Sequence, residues 1–137
     1  MIPTVVDSSV AYKWLCHEQE HGVGDAQALL DQHVSGEIVL TAPATLYIEL
    51  ANALTNSPFF IEDRAVATIA ELDSFHIELV SSSSERLAAA ARLSYGHHIS
   101  IYDALFLALA EELRCPLITA DRKAFARIDT PVEIRLI

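Results

Sequence analysis

The sequence predicts a three-layer α/β/α domain built around a central, mostly parallel five-stranded sheet. Two observations carry this expectation. Five short β-rich runs, TVV (4–6), EIVLT (37–41), IELV (77–80), PLITA (116–120) and VEIRLI (132–137), are separated by helical patterns. Strands that alternate with helices are joined by right-handed crossovers, which gives a parallel sheet with helices on both faces. Within these runs the residues VV, IVL and LIT are apolar without alternation, as in strands covered on both sides.

Taken in order, the first strand gives way to a helix at Asp7, with Val10, Ala11 and Trp14 as its inward stripe. Core is therefore a better place for Trp14 and Tyr12 than a stack on a nucleobase. Residues 24–36 set Ala26, Leu29, Leu30, His33 and Val34 on one stripe and stop at Gly36. Pro43 leads into a helix whose apolar stripe is Leu46, Leu50, Ala53 and Leu54. Residues 62–75 place Ala65, Val66, Ile69, Leu72 and Asp73 at helical spacing. The segment 83–96 opens with a serine cap and closes at Gly96. In HISIYDALFLALAEEL (98–113) the residues after Asp103 are apolar as far as Ala110, so this helix is expected to be buried nearly all round. No repeat, low-complexity stretch or linker divides the chain, and residues 1–137 are expected to form one domain.

The 137 residues are 52% hydrophobic and 20% charged, enough to enclose a continuous core. No apolar run reaches the roughly 18 residues of a membrane span. The first residues lack the basic-then-apolar pattern of a secretory signal, so a cytoplasmic location without membrane attachment is expected. Cys16 and Cys115, with no CxxC or His-rich neighbourhood, read as buried thiols. The net charge is −10, from 19 acids against nine Lys and Arg. That balance opposes broad attraction to nucleic acid or anionic lipid and favours a basic partner or bound cations.

Four acids share an address. Asp7 ends the first strand and Asp121 ends the fourth, so both project from the sheet edge where ligands of parallel sheets gather. Either alone is most simply a turn former or helix cap. Glu49, at about 100° per residue, lies about 60° from Leu46, near the edge of the apolar stripe and not on the solvent side. An ionised carboxylate turned toward a core needs a counter-charge. Asn52, one turn on, adds a second polar group to that flank. Asp103 stands at the entrance of the buried helix, where Ser100 and Asp103 also have capping-box spacing. Together these carboxylates repel one another and raise each other's pKa. One or two Mg²⁺ or Mn²⁺ ions would relieve that repulsion with hard oxygen ligands and open water positions. Such a site suits in-line attack on a phosphodiester, one ion activating water and another, about 4 Å away, stabilising the leaving oxygen.

The stretches VVDSSVAYKW, PATLYIELANAL, SIYDALFLALA and LITADRKAF, in this order and at these separations, closely resemble the PIN-domain family. Within it the likeness is to the VapC-type toxins of prokaryotic toxin–antitoxin pairs. The resemblance implies a Mg²⁺- or Mn²⁺-dependent endoribonuclease with a PIN-like α/β/α fold, leaving 5′-phosphate and 3′-hydroxyl ends. It also implies a homodimer bound by a VapB-like antitoxin whose C-terminal segment blocks the acidic cleft. By that resemblance Asp7, Glu49, Asp103 and Asp121 match the catalytic, metal-binding tetrad. Ser9 and Thr119 match its supporting hydroxyls, and Asn52 matches the polar residue that often follows the glutamate. Some relatives carry a further acid just beyond the position of Asp121; Arg122 and Lys123 stand there instead, which favours one metal over two.

Lys13, six residues beyond Asp7, is expected either to meet a phosphate or to be a solvated lysine. Arg122, Lys123 and Arg127 offer local positive charge beside the acids, either for RNA or as a solvated helix face. His97 and His98, adjacent and not at the i, i+4 spacing of a zinc pair, read as surface residues. Two further functions remain open: an RNA-processing PIN nuclease without antitoxin, and a non-catalytic α/β binding module. A receiver domain needs an acidic pair after the first strand and an Asp after the third, and a haloacid-dehalogenase-type phosphatase needs D-x-D. The chain has DSS and IELVSSSSE at those places.

Overall fold

In the computed structural model, which describes residues 2–137, the strands are β1 (Ile2–Val6), β2 (Ile38–Pro43), β3 (Glu78–Val80), β4 (Leu117–Thr119) and β5 (Ile134–Leu136). They form one sheet in the order β3-β2-β1-β4-β5, and every pairing is parallel. The expected α/β/α sandwich is therefore present, with a sheet that is wholly parallel.

The helices are α1 (Ser8–Leu15), α2 (Val23–Ser35), α3 (Leu46–Thr55), α4 (Glu62–Ala70), α5 (Ser84–His97), α6 (Ile101–Leu113) and α7 (Arg122–Phe125), with a 3-10 turn at Leu72–Phe75. The chain steps outward from β1 to β2 to β3, then returns across the sheet to β4. Right-handed crossovers consequently put α1–α4 on one face and α5–α7 on the other. Each crossover helix runs antiparallel to the strands, so its N-terminus lies at their C-terminal edge. Strand order reverses at β1 and β4, the place where ligands bind in open parallel sheets.

Local chemistry explains the boundaries. Gly36 ends α2 at φ 83, in the left-handed region that glycine enters without a Cβ penalty. The Ser83 side chain accepts the Arg86 N–H to start α5, and Ser100 accepts the Asp103 N–H to start α6. The core gathers Val5, Val6, Leu40, Leu46, Leu50, Phe106, Leu107, Leu117, Ile118 and Phe125. Ala104 to Leu107, with Leu109 and Ala110, are buried, so α6 is the enclosed helix its sequence predicts. Cys16 and Cys115 are buried free thiols.

Two apolar stripes are narrower than their spacing suggests. Val34, the last residue of its stripe, is 78% exposed, and Val66 is 61% exposed although Ala65 and Leu72 of the same stripe are buried. His33, beside Val34, has a structural task instead. Its Nδ1 accepts the Leu40 N–H at 3.1 Å, while Nε2 lies 3.1 Å from the carbonyl oxygens of Phe75 and His76. Only the Nε2–H form of the ring satisfies both sides, and it ties α2, β2 and the 3-10 turn together. Trp14 donates to the Ala26 carbonyl at 2.8 Å and packs on Phe75, in keeping with a core position. Among the described residues no helix is long and apolar enough to cross a membrane.

Candidate metal centre

The centre is built where β1 and β4 end side by side. Val6 is in register with Ile118, and the Asp7 N–H donates to the Ile118 carbonyl at 2.9 Å. That bond carries Asp7 up beside Thr119. Asp7 is only 3% exposed, and Thr119 is fully buried.

Two hydroxyls converge on one oxygen of Asp7. Ser9 Oγ donates to Oδ2 at 2.6 Å and Thr119 Oγ1 donates to the same atom at 2.8 Å. Each hydroxyl has one proton to give and uses it on Asp7, so each accepts from backbone on its other side. Ser9 Oγ takes the Ala120 N–H at 2.9 Å, and Thr119 Oγ1 takes the Asp121 N–H at 3.0 Å. The start of α1 and the end of β4 are thereby locked through a single carboxylate. Among the described residues, Oδ1 is left without a side-chain donor. Even with these bonds, burial holds the Asp7 carboxyl above its ordinary range, and repulsion from Asp121 adds to the shift.

Glu49 comes from the opposite direction, in the first turn of α3, just past the end of β2. Ser8 Oγ donates to its Oε1 at 3.3 Å and Thr45 Oγ1 to its Oε2 at 3.1 Å. It is half-buried, as its place near the edge of the apolar stripe predicts. Burial raises its pKa from 4.5 to about 7, with further contributions from Asp7 and Asp103. Ser8 and Thr45 are the partners that sequence reasoning missed. Thr45 could have been found one helical turn before Glu49, whereas Ser8 offers no local sign.

Asp103 stands at the first turn of α6, on the sheet's other face. Its carboxyl is also raised, first by burial and then by Asp7 and Asp121, with Ser100 opposing. Asp121 caps α7 by accepting the Ala124 N–H at 3.0 Å, so its capping reading holds. Thus two strand ends and two helix N-termini, contributed from both faces, bring the four acids to one edge. The charged groups that perturb Asp7, Glu49 and Asp103 most are other members of this set.

The donors fit a hard divalent cation: all are carboxylate oxygens, burial and repulsion disfavour the anionic forms of Asp7, Glu49 and Asp103, and a cation would reverse that penalty. They do not form a closed cage. Among the described residues no three His, Cys, Asp or Glu side chains stand together as a ready-made ion site. An ion that keeps several waters and takes few protein ligands is compatible with that spacing, as Mg²⁺ does.

Among the described residues, none of the remaining expected side chains bonds to the four acids. Lys13 is buried and its Nζ is engaged by Glu20 at 2.9 Å. It is neither solvated nor free to meet a phosphate, because α1 turns it under the loop that follows the helix. Asn52 is exposed and accepts from Asn56 Nδ2 at 3.1 Å, with no bond to Glu49. Arg122 and Lys123 are exposed on α7, directly after Asp121.

A family model described as "PIN domain" matches residues 4–131. The chain belongs to the PIN domain family. Structural likeness points the same way. A chain of VapBC2 from Rickettsia felis, solved bound to a promoter DNA fragment, superposes with a TM-score of 0.71 at 13% identity, covering 99% of each chain. VapC20 from Mycobacterium tuberculosis, a sarcin–ricin loop cleaving toxin, gives 0.70 at 17% identity over 95% of this PIN domain and 98% of that chain. VapBC-5 from the same organism, a member of the VapBC toxin–antitoxin systems, gives 0.64 at 21% identity over all of both chains. At these identities the likeness establishes a shared fold. No curated protein sequence matches this PIN domain.

Proposed function

We propose that this PIN domain is a Mg²⁺- or Mn²⁺-dependent endoribonuclease and the toxin of a VapBC-type pair. The observation that carries the reading is the convergence of Asp7, Glu49, Asp103 and Asp121 at the switch point of a PIN sheet, with three of the four carboxyls raised by burial and mutual repulsion. Structural ion-pair networks pair acids with bases; these acids perturb one another instead.

In this reading Asp7 is the fixed ligand, its orientation set by Ser9 and Thr119. Glu49, Asp103 and Asp121 are half-buried and complete the site from three further elements. A divalent ion bound there would supply an activated water and offset the charge of the scissile phosphate. The chain's own part is to hold oxygens on that ion and leave the attacking side of the phosphate open. The expected products carry 5′-phosphate and 3′-hydroxyl ends.

The toxin reading is supported by likeness to VapBC-family structures and by the −10 charge, which suits a basic antitoxin segment lying on the acids. Ile48, Ile61 and Val66 are 70%, 75% and 61% exposed, an apolar surface on and between α3 and α4 fit for an antitoxin or a second copy. Homodimerisation and a cytoplasmic location belong to the same proposal.

The test is cleavage of a mixed RNA pool by wild type, Asp7→Asn and Asp103→Asn, each with Mg²⁺ and with EDTA. Cleavage only by wild type with Mg²⁺ is expected. RNA loss that continues unchanged in both variants would remove the tetrad assignment. Inhibition by the product of a neighbouring reading frame separates a toxin from an RNA-processing nuclease.

A further inference from the structure

Beside the acidic edge lies an open groove of about 660 Å³, formed where the α5–α6 loop meets α7. His97, His98, Arg122, Lys123 and Arg127 all line it, and no acid does. That is unusual for a chain with 19 acids and nine Lys and Arg. Lys13, Arg64, Arg86 and Arg135 are paired with carboxylates, which leaves five basic side chains without one within 4.0 Å among the described residues. Three of those five stand in this groove.

The groove is also firmly placed. His98 caps α5 at φ 56, donating its N–H to the Ser94 carbonyl, and Ser94 Oγ donates to the Ile99 carbonyl at 2.5 Å. On the other wall, Asp121 caps α7 and so fixes Arg122 and Lys123 directly beside a member of the tetrad. Uncompensated guanidinium, ammonium and imidazole donors match a phosphate diester; they have nothing to offer an apolar or cationic ligand. In a molecule that otherwise repels polyanions, such a groove provides a local attraction next to the reacting edge.

We propose that this groove holds successive backbone phosphates of single-stranded RNA adjoining the bond cut at the acidic centre, one for each of Arg122, Lys123 and Arg127. The inference deepens the nuclease reading and rests on it. It gives Arg122, Lys123 and Arg127 a substrate-binding role without metal contact, and it adds His97 and His98 to that role.

The test measures binding of a labelled single-stranded RNA oligonucleotide to the full chain in EDTA, where no cutting occurs, over a range of salt. Three phosphate contacts predict a log–log salt slope of about −2 and roughly 20-fold weaker binding between about 50 and about 200 mM salt. Arg122→Gln, Lys123→Gln and Arg127→Gln should each weaken binding and reduce that slope by about 0.7. Arg114→Gln, an uncompensated cation outside the groove, should leave both unchanged. Melting temperatures of these exposed-residue variants confirm that each is folded.

Unchanged affinity and slope in all three groove variants would overturn the inference. So would displacement of the RNA by polyglutamate at lower concentration than by unlabelled oligonucleotide, which would mark an acidic-peptide site. Cleavage of the same oligonucleotide in Mg²⁺ is scored separately. A wild type that cuts while the groove variants bind normally loses the groove and keeps the nuclease. A wild type that shows the groove signature but never cuts keeps the groove and loses the nuclease.

Discussion

Glu49→Gln should make the ion-free protein more stable at neutral pH, although it alters a residue of the proposed site. The substitution removes charge and keeps shape, and the amide can still accept from Ser8 or Thr45. Burial, aided by Asp7 and Asp103, lifts the Glu49 carboxyl from 4.5 to about 7. That interval is worth about 3 kcal/mol if unscreened; the solvent access of a half-buried side chain reduces it to about 1 kcal/mol. The folded protein holds this proton more tightly than the unfolded chain does. The associated stability is therefore complete below about pH 4.5 and is lost as pH rises toward about 7. Thermal melting in EDTA across this window should show wild type falling relative to Glu49→Gln, ending about 4 °C below it near pH 8. Millimolar Mg²⁺ should reverse the order, because the ion binds the native site and wild type binds it better. A variant less stable than wild type near pH 8 in EDTA would refute the claim that repulsion and burial dominate there.

Thr119→Val keeps the β-branched shape but removes the donor to Asp7 and the acceptor of the Asp121 N–H. It should cost about 2–3 kcal/mol in urea denaturation and weaken Mn²⁺ binding by about 10-fold or more in calorimetry. His33→Phe leaves the Leu40 N–H without its acceptor and the carbonyls of Phe75 and His76 without their donor; a loss of about 1–3 kcal/mol is expected, with RNA cleavage at permissive temperature unchanged. Lys13→Met should leave RNA affinity and its salt slope as in wild type, since Glu20 already occupies the ammonium.

The sequence made the sheet legible because parallel strands covered on both sides read as apolar runs, as VV, IVL and the Leu117–Ile118 pair do. It made Asp7 and Asp121 legible because acids that end buried strands stand out, and Glu49 because a carboxylate on the wrong side of a helix does. The missing parts depend on pairings that no spacing encodes. Ser8 and Glu49 lie 41 positions apart. Lys13 looked free because Glu20 lies beyond the end of α1, where the path of the chain is set by tertiary packing. The basic groove required α7 to meet the loop after α5, joining His97 and His98 to cations that sequence analysis treated separately. Val34 and Val66 were expected inside on periodicity alone, which reports the direction of a stripe and not how far a neighbouring layer extends over it.

The most direct test of the centre is a crystal of the full chain soaked in Mn²⁺ and measured at the manganese absorption edge. The account predicts an anomalous peak between β1 and β4, about 2.1 Å from a carboxylate oxygen of Asp7 and contacted, directly or through water, by Asp103 and Asp121 or Glu49. The peak should be lost in Asp7→Asn. A peak elsewhere, or none at saturating Mn²⁺ with Asp7, Glu49, Asp103 and Asp121 each neutralised by its own local hydrogen bonds, would contradict it.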